Sequence, residues 1–155
     1  MSSARVRRIG LAAAVLALGV GIWQAGALAG NGPVKKTITA PIYAGKGDCG
    51  GPNTAFPVAG KATFTREGKT MTVAYKEIGL DPSTLYYADL EYSNTPGSCS
   101  WKDTVVFGPL MTDKKGHAKG TFKATVPAGK SYFIADLTTD FETNWNGTVS
   151  VYLPG

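Results

Sequence analysis

From Lys61 onward apolar and polar side chains alternate with a period of two, and Gly or Pro interrupts each run. Ala62 and Phe64 alternate with Lys61, Thr63 and Thr65, and Met71, Val73 and Tyr75 alternate with Thr70, Thr72, Ala74 and Lys76. Glu67-Gly68 between them is a tight turn, so the pair predicts a hairpin with one buried face. Tyr86, Ala88, Leu90 and Tyr92 alternate with Tyr87, Asp89 and Glu91; the apolar run Val105 to Met111 follows, with Pro109 at an edge or bulge. After the turn Asp113-Lys114-Lys115-Gly116, Ala118, Gly120, Phe122, Ala124 and Val126 point one way. Phe133, Ala135 and Leu137 then alternate with Tyr132, Ile134 and Asp136, and Val149, Val151 and Leu153 supply a closing strand. An earlier strand covers Lys36 to Tyr43. Beyond residue 29 no segment keeps a helical period over ten residues, and the many Gly and Thr residues disfavour helix. The expected fold is all-β: a single antiparallel Greek-key β-sandwich of immunoglobulin-like type with about seven or eight strands over residues 37–155.

The N-terminus follows a different pattern. Arg5, Arg7 and Arg8 precede the apolar run Ile9 to Ile22, and Ala27-Leu28-Ala29 places small residues at both recognition positions of a signal-peptidase site. The run is 14 residues long, against the roughly 20 needed to span a hydrocarbon core. Residues 1–29 therefore read as a cleaved signal peptide and 30–36 as a flexible leader, which predicts a secreted or extracytoplasmic product with no membrane span. Arg7-Arg8 also fits the twin-arginine route, but its neighbours favour general secretion.

Removing this segment changes the charge argument. Three of the 16 basic residues lie within it and all 11 acidic residues lie beyond it, leaving 13 against 11, a net +2. Nucleic acid is not an expected partner, because phosphate binding wants basic residues clustered on one face, and Lys35-Lys36 and Lys114-Lys115 are the only adjacent pairs. Cys49 and Cys99, each in a Gly/Pro/Ser-rich loop, predict one disulfide in an oxidising compartment. On the chain-entropy model that bridge would stabilise the fold by roughly 4 kcal/mol.

Three turn motifs carry a resemblance. They are Gly79-Leu80-Asp81-Pro82 before a Tyr-rich strand, Thr112-Asp113-Lys114-Lys115-Gly116 before a long alternating one, and Val126-Pro127-Ala128-Gly129 before the next. Together they resemble small immunoglobulin-like and chordin-repeat-like (CHRD) domains of exported bacterial proteins, which implies a sandwich fold and no particular activity. The histidines usual in the CHRD strand are missing from Leu85 to Leu90, which also excludes a copper/zinc superoxide dismutase site.

Candidate chemistry is sparse. His117 is the only histidine and lies among turn lysines, so no Ser-His-Asp or Cys-His set assembles around it and no zinc set is present. Asp136, Asp140 and Glu142 form an acidic group that could serve a small hydrolase, although its spacing is not that of a calcium loop. Trp101 and Trp145 lie beside loops and are the candidate binding residues, since Trp buries much area at little entropic loss; the competing and favoured reading packs them in the core or against a loop, Trp101 on the disulfide. Asn146-Gly147-Thr148 matches a glycosylation sequon and also reads as a turn. The expected function is non-enzymatic binding of an extracellular protein or glycan by a monomer without metal or cofactor. A secreted protease inhibitor or small-ligand carrier is the alternative, and the hydrolase is a third reading.

Overall fold

Thr, Val and aromatic side chains suit a pleated, half-buried surface, and strands form at each alternating run. A computed structural model describes residues 33–45, 56–77, 79–97, 103–141 and 145–155, all within the compact unit Gly32–Gly155. The expected signal peptide and Cys49, Cys99, Trp101 and Glu142 lie outside the described residues. The strands are β1 (Lys35–Tyr43), β2 (Val58–Glu67), β3 (Thr70–Glu77), β4 (Leu85–Ser93), β5 (Thr104–Met111), β6 (Ala118–Thr125), β7 (Tyr132–Thr138), β8 (Trp145–Thr148) and β9 (Val151–Tyr152). Strand β1 thus begins inside the stretch that the sequence reads as leader.

Every pairing is antiparallel, and the pairing runs unbroken in the order β5-β4-β7-β8-β1-β2-β3-β6, with β9 against β7. The sequence predicts two packed sheets; hydrogen bonding instead joins all strands into one sheet, nearly closed like a barrel. The cause is the short β8, which pairs with β7 over three residues and with β1 over two and so bridges what would otherwise be separate layers. The two ends, β5 and β6, meet through side chains: Phe107 stacks on Phe122 at 5.2 Å with planes 8° apart, and Leu110 lies over Gly120.

Phe64, Phe133, Ile42, Met71, Leu90, Leu137, Val73 and Val126 fill the interior and are all fully buried. Each such side chain stabilises the fold by about 1.5–3 kcal/mol. Tyr75 crosses this core from β3 and donates its hydroxyl to the carbonyls of Asp89 (2.6 Å) and Asp136 (3.4 Å), tying β3 to both β4 and β7. Arg66 is a buried cation, 3 % exposed. It donates Nε to the Gly68 carbonyl (3.0 Å) and Nη1 to those of Lys130 (2.5 Å) and Leu153 (2.6 Å), with Phe133 beneath the guanidinium at 5.4 Å.

Two local expectations are corrected. The closing strand splits into β8 and β9, because residues 145–148 pair with β1 and the end of β7 while 151–152 pair with its start. Asn146-Gly147, which reads as a turn, is ladder backbone: Gly147 pairs with Asp136, and a Cβ there would collide with the Asp136 carboxylate. Glycine at this position makes room for a neighbouring side chain rather than bending the chain.

Candidate functional site

Strands β4 and β7 turn Ala88, Leu90, Ala135 and Leu137 toward the core, so Asp89, Glu91, Ile134 and Asp136 share the opposite face. The alternation predicts a solvated face there, yet Asp89 and Thr138 are 0 % exposed and Ile134 and Asp136 only 7 %. Part of the cover comes from the segment after β7. The Thr138 hydroxyl accepts the N–H groups of Asp140 (3.3 Å) and Phe141 (3.0 Å), and the Phe141 ring packs 5.1 Å from Tyr87.

Asp89 and Asp136 are directly opposed in the ladder, where cross-strand Cβ atoms lie about 4.5–5.5 Å apart. Neither Asp89 carboxyl oxygen has a hydrogen-bond partner. Burial, with Glu91 nearby, pushes the Asp89 pKa up to about 7. Burial followed by the charges of Asp89 and Glu91 raises Asp136 well above the carboxylate range, and burial also raises Glu91. A carboxyl kept protonated near neutrality can act as a general acid, but complete burial withholds Asp89 from a substrate.

The acidic group expected from the sequence is rearranged. Asp136 is a strand residue whose acidic neighbours are Asp89 and Glu91 of β4, while Asp140 is exposed beyond the strand end. Trp145 pairs with Thr138, two residues along β8 from the Gly147 that faces Asp136, so its backbone borders the carboxyl pair. Asn146 spends its amide oxygen on the Gly45 N–H (3.2 Å), a structural use of the sequon residue. His117 is exposed in its turn, where Asp113 Oδ1 accepts the backbone N–H groups of Lys115 and His117, which lowers the Asp113 pKa. Among the described residues no three His, Cys, Asp or Glu side chains converge to hold a metal.

A second face, whose residues alternate outward in the sequence, takes its composition from strand register. From Lys35 to Pro41 the outward residues of β1 head four cross-strand rows with β2, β3 and β6: Lys35-Glu67-Thr70-Thr125, Thr37-Thr65-Thr72-Lys123, Thr39-Thr63-Ala74-Thr121 and Pro41-Lys61-Lys76-Lys119; past a bulge, Tyr43 pairs with the exposed Val58. Thr37 bonds Thr65 (3.2 Å) and Thr39 bonds Thr63 (2.9 Å) through their hydroxyls. Five lysines and one glutamate make the face strongly basic. Lys61, Lys76 and Lys119 are direct neighbours on three adjacent strands, and all are exposed. Like charges directly opposite destabilise a sheet, and cross-strand pair effects are roughly 0.2–1 kcal/mol. These lysines are dispersed in sequence, and only strand register gathers them.

Among the described residues no helix is long and apolar enough to cross a membrane. No protein-family model matches the chain and no curated protein matches it, so the chemistry of both faces stands on the chain's own residues.

Proposed function

We propose that the chain is the precursor of an exported, non-enzymatic binding domain that presents its flat β1-β2-β3-β6 face to a partner outside the cell. The observation that carries this reading is the basic threonine-lysine face itself, which keeps three lysines side by side at a stability cost that folding does not require. In this reading the near-barrel is a flattened Greek-key sandwich of immunoglobulin-like or CHRD-like type. Its support is that β4, β5 and β6 follow one another around the sheet and across its seam, and β7 returns beside β4. A Cys49–Cys99 bridge belongs to the same proposal.

The test is a screen of the exported protein against arrays of glycans and extracellular protein domains, repeated with Thr72→Tyr. Tyrosine suits a strand but places a ring at the centre of the face. A ligand lost by Thr72→Tyr with an unchanged melting temperature supports the reading. A ligand that instead shields tryptophan from acrylamide moves the site to Trp101 or Trp145, and turnover of any ligand overturns the non-enzymatic assignment.

A further inference from the structure

We infer that the Lys61-Lys76-Lys119 row, with the threonine rows beside it, binds a linear acidic polysaccharide. The inference rests on the binding reading above and names its ligand class. Adjacent strands lie about 4.8 Å apart, so the three ammonium groups line a track running across β2, β3 and β6. Among the described residues none of the three forms an ion pair, and the face's glutamate, Glu67, lies in the far row opposite Lys35 and Thr70. Their charge is thus unspent within the fold and available to a polymer carrying an anion on successive units.

The remaining rows decide between polyanions. Thr72 and Thr121 offer hydroxyls that both donate and accept, and the Thr37–Thr65 and Thr39–Thr63 pairs each keep one donor hydrogen and open lone pairs, which matches sugar hydroxyls. The four rows contain no aromatic residue and Tyr43 is a single ring beyond them on β1, so single-stranded nucleic acid would lack the run of stacking partners it normally uses. They also contain no large apolar side chain, and Tyr43 and the exposed Val58 beyond them are far short of the apolar face that inserts into a lipid surface.

The experiment uses protein purified from cells expressing the full chain, and measures binding of polygalacturonate, dextran sulfate, unmodified dextran, a single-stranded oligonucleotide and vesicles containing anionic lipid. The comparison variants are Lys76→Glu and, as an equal charge change in an exposed turn, Lys114→Glu. The expected result is binding to one or both acidic polysaccharides and not to dextran, with a log–log salt slope of about −2 to −3 if each lysine releases one counterion. Lys76→Glu is expected to weaken that binding at least tenfold while raising the melting temperature, because it replaces two repulsions by two attractions; Lys114→Glu should leave both nearly unchanged. Such a split between affinity and stability is not what a merely damaged fold would give. Preference for vesicles or oligonucleotide, or equal loss in both variants, overturns the inference. Binding to neutral dextran or to a protein that Lys76→Glu leaves intact sinks the polyanion while sparing the binding domain; binding to nothing in either screen sinks both.

Discussion

Asp89 is buried without a hydrogen-bond donor, and its folded pKa lies above its unfolded value of 3.8, at about 7, with Asp136 also raised. For an acid shifted upward, the folded state holds the proton more tightly than the unfolded chain between those two values. Stability is therefore fully present below the unfolded value and is lost as pH rises through the folded one. Asp113 acts in the opposite sense, but its pKa is lowered, so its loss falls below this window. The domain is expected to be more stable at pH 5 than at pH 8, as urea midpoints would record. Asp89→Asn removes one buried charge and offers an N–H to Asp136, so it should flatten that slope and add ~1–3 kcal/mol at pH 8. A wild-type curve flat from pH 5 to 8 would contradict the protonated state of this pair. The sequence hid the pair because a carboxylate at an alternate strand position looks solvated, and burial on both faces of a strand leaves no period-two mark.

At the level of single strands, β8 shows where local signals mislead. Asn-Gly is a strong hairpin signal, yet here Gly147 is a ladder residue whose missing side chain leaves space for the Asp136 carboxylate. Gly147→Ala should destabilise by ~1–3 kcal/mol, as overpacking does, and Asp136→Ala in the same chain should recover most of that loss; purely additive effects would show that the two groups do not compete for space. Other elements were legible for plain reasons. The β2–β3 hairpin announces itself in clean alternation around Gly68, and Pro109 on β5 marks the end strand that the pairing order confirms. The bridging role of β8 was not legible, because four residues that pair on both sides carry no pattern longer than themselves. The lysine row was hidden for a related reason: it exists only across strands, and sequence distance says nothing about register.

Taken whole, the molecule separates its charges, with lysines on the outward face of β1-β2-β3-β6 and Asp89, Glu91 and Asp136 behind β4 and β7. It also has an unladdered boundary between the two end strands, where Phe107 and Phe122 hold β5 to β6 by ring stacking. A sheet whose end strands meet without a ladder has a defined place to breathe. Amide protons along the facing edges of β5 and β6 should exchange with solvent well before those of β2 and β3, and Phe107→Ala should widen that difference; uniform exchange around the sheet would mean that the stack fastens as firmly as a ladder. Each opening would bare two strand edges at once, the usual template for chain-to-chain aggregation. Pro109 on one lip and Lys119 and Lys123 on the other are residues that blunt such an edge. The seam can therefore open and reclose without recruiting a second molecule, and the protein can tolerate a weak line in its wall.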